Sequence, residues 1–272
     1  MKLGVSNLAW HPDEENIALD TLLKLGATGV EVAPTRLGEW SSLNERVLVN
    51  FRKKLDDFGL AIPSVQAILF NRPDAQLLGD EVQFKRLREH IRVVGSICRT
   101  LGATVAVFGA PNNRRRGDMP LPYAISLGVD RMRKLGDIAR ESEFILGIEP
   151  VPAYYECDFL NRFDTLYSFI SDCDHTNVKV HMDTACVALS GDDPVDKVSK
   201  YSESFVNFHI SEPDLTDFSK PKCDHRAIGE ALCQNSYSGW VVIEMREAEF
   251  GNIPRLKRAI QYALVNYLMP TT

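Results

Sequence analysis

The sequence predicts one α/β domain folded as a closed (β/α)8 barrel, a TIM barrel, and three observations predict it. Eight short β-like runs alternate with longer amphipathic stretches along the 272 residues, the alternation expected of parallel α/β architectures. Several runs are continuously apolar, as in TVAVF (104–108), FILGI (144–148) and WVVIE (240–244), which is how strands covered on both faces of a parallel sheet read. Eight units average about 34 residues each, room for strand, loop and helix, and eight repeats favour a closed barrel over an open doubly wound sheet. No Gly-x-Gly-x-x-Gly fingerprint follows the first run, which weighs against a dinucleotide-binding sheet. No Pro/Gly/Ser-rich linker divides the chain, so residues 1–272 are expected to form a single domain.

Strands are expected at 2–8, 29–33, 62–69, 104–108, 144–150, 178–183, 206–210 and 240–245. Helices read most clearly at 44–58, 80–101, 125–141, 163–173 and 253–268. Within 80–101, Val82, Leu87, Ile91, Val94, Ile97 and Leu101 recur at steps of three to five, a helical period. Gly102 follows where a left-handed residue can close that helix, and Gly26 and Gly59 stand in the same relation to earlier ones.

Composition narrows the functional classes. Asp and Glu (37) outnumber Lys and Arg (31), for a net charge of −6, and a nucleic-acid partner usually leaves a basic footprint instead. No apolar run approaches the roughly 18 residues of a membrane span. The opening MKLGVSNLAWHPDEEN has a short apolar stretch followed at once by acidic residues, unlike a secretory leader. The six cysteines are scattered and form no Cys-x-x-Cys pair, so they read as reduced thiols, and a cytoplasmic location is expected.

In a barrel, the carboxyl ends of the strands and the loops after them form the active face. Four consecutive strands end there in a residue of metal-ligating type: Glu149 in ILGIEP, Asp183 in VKVHMD, His209 in VNFHIS and Glu244 in VVIEMR. A lone carboxylate closing a buried run is costly or takes up a proton. Four such groups are tolerated together if they converge on a cation, because neighbouring strands lie only about 4.8 Å apart. The competing explanation is that each merely caps its strand or pairs with a nearby Lys or Arg. Two Glu, one Asp and one His form an oxygen-rich site of formal charge −3, suited to Mn²⁺, Mg²⁺ or Co²⁺, with Zn²⁺ admitted through the imidazole.

On these residues the chain resembles the xylose-isomerase-like TIM-barrel superfamily of sugar and sugar-phosphate isomerases and epimerases. That superfamily also includes inosose dehydratases, hydroxypyruvate isomerases and endonuclease IV. The likeness spans the whole chain and is sharpest in the ordered set Glu149, Asp183, His209, Glu244. Gly29-Val-Glu31 and the His225, Gly229, Glu230 pattern carry it more weakly. The resemblance implies that the four residues hold the metal. Two positions depart from it: Cys186 stands where many relatives have a His three residues after the Asp, and Gln66 where many have a His ending strand three. Substrate identity therefore does not transfer. The trinuclear zinc site of endonuclease IV needs more histidines than the six of this chain supply.

Glu149 and Glu244 are expected to flank the substrate as base and acid while also binding metal. Proton removal on one face and return on the other is epimerisation, return at the neighbouring carbon is isomerisation, and loss of a β-hydroxyl is dehydration. The expected function is a metal-dependent isomerase or epimerase of a small sugar, sugar phosphate or sugar acid. A metal-dependent sugar or inosose dehydratase is the first rival. A non-catalytic sugar-binding barrel or partner-dependent subunit is the second. A homodimer or homotetramer follows from the resemblance alone.

Specificity points to the loops. Arg114, Arg115 and Arg116 follow strand four; guanidinium forks suit a phosphate or carboxylate, Arg114 is the favoured one, and a solvated charge run is the competing explanation. Arg246 keeps the side-chain parity of Glu244 and is placed facing the cavity. Asn7 and Trp10 after strand one, Glu31 ending strand two, Gln66, Cys186, and His225 with Arg226 complete the expected substrate contacts. Against these stand packing for Trp10, an ion pair with Arg36 for Glu31, capping for Gln66 and surface roles for His225 and Arg226.

Overall fold

The computed structural model describes residues 1–269. Eight strands form one sheet: β1 (Lys2–Ser6), β2 (Gly29–Glu31), β3 (Ser64–Val65), β4 (Val105–Phe108), β5 (Ile145–Ile148), β6 (Val178–Asp183), β7 (Phe205–Ser211) and β8 (Trp240–Glu244). Every pairing is parallel, in the order β2-β1-β8-β7-β6-β5-β4-β3. The ring closes between β2 and β3 through the bridges Gly29–Ala61 and Val32–Val65. There Val30 N donates to Ala61 O (2.9 Å) and Gln66 N to Val32 O (2.9 Å). Residues 270–272 of the expected domain lie outside the described residues.

Helices cover the ring: α1 (Glu15–Leu25), α2 (Glu45–Asp57), α3 (Glu81–Leu101), α4 (Leu121–Glu141), α5 (Phe163–Cys173), α6 (Thr184–Leu189), α7 (Pro194–Tyr201), α8 (His225–Gln234) and α9 (Asn252–Ala263). Local chemistry sets their ends. Asp80 and Gln83 form a reciprocal capping box at the start of α3, and Gly102 ends it at φ 73°, a left-handed conformation that costs glycine little.

Strands expected at 2–8, 29–33 and 144–150 are shorter, the helix expected at 125–141 begins at Leu121, and two further elements differ more. Strand three was expected over 62–69, but only Ser64–Val65 is strand. Beyond Gln66 the chain turns, with Ala67 at φ 52° and Phe70 N bonded to Ala67 O (3.0 Å). Ile68 and Leu69 are still buried, so their apolar character reflects burial rather than extension. The last helix, expected over 253–268, is α-helical only to Ala263 and continues as a π turn over Leu264–Leu268. Gly229 of α8 lies so close to Asn266 that a Cβ would collide with that carbonyl.

Strand parity separates the two faces. On β7, Phe208 and Ile210 join the apolar core, while Asn207 and His209 reach Glu31 on β2 across the ring. The polar side is therefore the barrel interior. Register then staggers the site: Asp183 is level with His209, and Ser211 with Glu244, so Glu244 stands two residues nearer the mouth than His209. All six cysteines are free, and among the described residues no helix is long and apolar enough to cross a membrane.

Phe163, fully buried at the start of α5, meets the rings of Tyr201 (5.2 Å) and Phe205 (6.1 Å). Phe163→Ala is expected to cost about 3–5 kcal/mol, measured by denaturant unfolding; a loss under about 1 kcal/mol would show that the cluster is not a keystone.

Candidate metal centre and active-site cavity

A cavity of about 560 Å³ opens at the carboxyl ends of the strands and adjoins one of about 350 Å³; both are lined by Glu149, Glu244, Gly109 and Leu215. The loops that wall it are stapled together. Asn113 donates to Arg72 O (2.6 Å) and Ala75 O (2.7 Å) and accepts from Leu77 N (2.7 Å) through its backbone.

At the floor, Asp183, His209 and Glu244 present atoms close enough to share one ion, and Glu149 approaches Asp183 and Cys186 likewise. His209 Nδ1 lies 3.2 Å from Glu244 Oε2 and 3.7 Å from Asp183 Oδ2. It is buried and, among the described residues, makes no well-aligned hydrogen bond. The other nitrogen, Nε2, pairs with Glu31 Oε1 at 2.8 Å. Glu31 in turn accepts from Ser64 Oγ (2.5 Å) and Asn207 Nδ2 (3.1 Å). A carboxylate on the rear nitrogen is the arrangement that fixes a ligating imidazole and raises its basicity. Asp183 also caps α6, its Oδ1 accepting from Cys186 N at 2.7 Å, which leaves Oδ2 toward the site. Three carboxylates and an orphaned imidazole nitrogen facing one another fit a divalent cation.

The charges at this floor are strongly interdependent. Burial, then the neighbouring charges of Asp183 and Glu244, push the Glu149 carboxyl up to about 8. Asp183 is raised by burial and by Glu244. Burial works against a charged His209, but Glu31 and Glu244 outweigh it and hold its pKa well above the imidazole range. Without a cation the site thus balances itself with a proton on Glu149 and a charged imidazole. Gly109 leaves room for Glu149, since a Cβ there would collide with Glu149 Oε2. The Cys186 thiol, pushed well up by burial and then by Asp183, points at Glu149 Oε1 (3.3 Å). His181 packs edge-on against His209 with centroids 4.1 Å apart, and both its nitrogens lack partners; burial pushes its pKa well down.

The structure brings Gln66, Cys186 and Arg246 to the cavity together with the two glutamates. Gln66 Nε2 donates to Ser6 Oγ (2.5 Å). The six other expected contacts are not among the residues lining the cavity. Trp10 is 1% exposed in the apolar core, which leaves no ring face for a sugar. Arg114 is wholly buried and off the cavity lining; its Nη2 donates to the Glu149 carbonyl (2.7 Å), bracing β5, while Nε and Nη1 meet no partner among the described residues. His225 is held between Glu212 Oε1 (2.7 Å) and Tyr267 OH (2.5 Å). Arg226 pairs with Glu230 on the outside of α8. Asn7 is buried and accepts from Ala33 N (2.8 Å). Glu31 binds His209, while Arg36 pairs with Glu247 instead. The Glu212–Cys223–His225 cluster has ligand-like spacing, but Glu212 already accepts from Lys222 N, Cys223 N and His225, so it reads as a strut. Residues that sequence reasoning missed include Ser64 and Asn207 beside Glu31. Asn207 shares the strand parity of His209, a signal that was available.

Fold and site define the class: an α/β barrel with a candidate cation site at the carboxyl ends of strands five to eight. Residues 19–264 match the model of the xylose isomerase-like TIM barrel family, and the chain belongs to that family. A D-psicose 3-epimerase of Enterocloster bolteae is 26% identical over 142 residues, 52% of this chain and 45% of the relative; the match thus spans under half of that protein. An inosose dehydratase of Clostridium beijerinckii is 21% identical over 304 aligned positions, 97% of this chain and 94% of the relative. Among solved structures, D-psicose 3-epimerase with D-tagatose from Clostridium cellulolyticum H10 superposes with a TM-score of 0.80 at 18% identity over 97% of both chains. The IOLI protein with a zinc atom gives 0.76 at 17% identity, again over 97% of each. Both superpositions show a shared fold.

A carboxyl whose pKa rises from 4.5 to about 8 on folding favours the folded state fully below 4.5 and progressively less as pH climbs through 8. The metal-free protein is therefore expected to lose stability from about pH 5 to pH 8, by at most about 1.4 kcal/mol per pH unit for one proton. Glu149→Gln should flatten that slope in thermal melts, and an unchanged slope would clear Glu149 of the effect. Mn²⁺ affinity should rise over the same range, with proton release visible by calorimetry in two buffers.

Proposed function

We propose that this chain is a divalent-metal-dependent isomerase or epimerase of a small sugar or sugar derivative. One observation carries the reading: Glu149 and Glu244 line one cavity whose floor also gathers Asp183 and His209. The relatives that match are a sugar epimerase and an inosose dehydratase, which agrees with enolisation chemistry. Glu149, Asp183, His209 and Glu244 would hold Mn²⁺, Mg²⁺, Co²⁺ or Zn²⁺. When bound, a divalent cation supplies Lewis-acid stabilisation to a carbonyl beside it.

The chain's own residues do the rest. Glu31 fixes the His209 ring from behind. Glu149 lines the cavity, and its carboxyl, ionised once a cation is bound, is placed to take a proton from a carbon beside the carbonyl. Glu244, nearer the mouth and partly open to the cavity, is placed to act on the substrate as its partner. Cys186 donates to Glu149 and remains a thiol, so it orients that carboxyl rather than attacking substrate. Proton removal by one glutamate and return by the other inverts a carbon; return to the adjacent carbon interconverts aldose and ketose.

A dehydratase is the second reading, favoured by a match to inosose dehydratase along 97% of the chain. Incubation with Mn²⁺ and a panel of ketoses, ketose phosphates, sugar acids and inosose in D₂O separates the two. Deuterium next to the carbonyl without loss of water marks an isomerase or epimerase, and loss of water marks the lyase. Glu149→Gln and Glu244→Gln are each expected to abolish exchange while circular dichroism stays native. Wild-type exchange in either variant would remove that residue from the mechanism.

A further inference from the structure

We propose that the substrate carries an anionic group, a carboxylate or a phosphate, at the end remote from its carbonyl, and that Arg246 receives it; the assignment rests on the sugar chemistry proposed above. The cavity is lined by two cations, Arg72 and Arg246. Arg72 is committed: both oxygens of Asp74 take its fork, at 3.0 and 3.3 Å, and His90 takes a third nitrogen. Among the described residues the Arg246 guanidinium has no hydrogen-bond or ion-pair partner. The other arginines around the mouth are engaged or off the lining: Arg114 keeps Nε and Nη1 without partners among the described residues, but it is wholly buried and does not line the cavity. Arg36 binds Glu247, Arg114 the Glu149 carbonyl, Arg115 Glu156, and Arg255 with Arg258 Asp217.

The Arg246 backbone is pinned on both sides. Its N–H donates to Leu215 O (2.8 Å) and its carbonyl accepts from Arg255 Nη1 (3.1 Å). The side chain therefore springs from a fixed root. It stands two residues beyond Glu244, roughly 6–7 Å along an extended chain, so a group that it grips lies away from the carbons between Glu149 and Glu244. The remaining charged lining is acidic: Glu149, Asp183, Asp214 and Glu244. Asp214 is engaged by Tyr154 OH (3.2 Å) and, among the described residues, by no cation. In such a field an anionic substrate needs a compensating donor, and a guanidinium meets carboxylate or phosphate oxygens with paired hydrogen bonds. A neutral sugar would give this arginine nothing that water does not.

The test is calorimetric binding of D-fructose, D-fructuronate and D-fructose 6-phosphate to the Mn²⁺-loaded protein, in wild type, Arg246→Lys and Arg246→Met. At least one anionic ketose should bind about tenfold or more tightly than D-fructose. That ratio should collapse in Arg246→Met and survive in part in Arg246→Lys. The two anionic arms tell carboxylate from phosphate. Equal affinity for all three, including none measurable for any, overturns the proposal, as does a preference that persists in Arg246→Met, since the ion would then be the receptor. Deuterium exchange on the same samples separates the two inferences. An Arg246-dependent preference without exchange sinks the isomerase reading alone, and exchange without the preference sinks the anion site alone.

Discussion

Three carboxylates cannot all be ionised side by side in a buried space without a positive charge among them. Glu149, Asp183 and Glu244 meet under that constraint. Much of the barrel's polar interior answers it. The imidazole of His209 stands among them, drawn to a charged state by Glu31 behind it. One carboxyl keeps a proton. A divalent ion can replace both compensations at once, because it brings two charges and needs the oxygen atoms that the proton occupies.

Around that core the chain separates rigidity from chemistry. Glu31, Ser64 and Asn207 tie three strands together across the ring. Arg114 and the Glu212–His225–Tyr267 strut spend charged or polar groups on holding loops and helices. Within the cavity Arg72, Asn113 and Gln66 are committed as well, which leaves the Glu149 and Glu244 carboxyls and the Arg246 guanidinium turned to the open space. Arginines around the same mouth therefore do different things: most brace it, and the Arg246 side chain stays free of any described partner.

The strand–helix alternation and the four strand-end ligand types were legible because both are local and periodic. Glu149, Asp183, His209 and Glu244 each close a run whose burial follows from its own composition. The loops were not legible. Arg114 lies in a run of three arginines that looks like an anion clamp, and only the fold shows that its partner is the carbonyl of Glu149. Trp10 follows a strand as a sugar-stacking ring would, yet it is buried in the core. Strand three read too long because buried apolar residues look alike whether extended or turned, and Ala67 turns. Partners distant in sequence decide each of these cases.

The joint between β2 and β3 is held by isolated bridges rather than a continuous ladder. Glu31 and Ser64 stand on its two sides and share a hydrogen bond, so the carboxylate that steadies His209 also rivets the cylinder shut. Tuning of the imidazole and integrity of the wall are thereby carried by one side chain, and evolution cannot retune the first at that position without loosening the second.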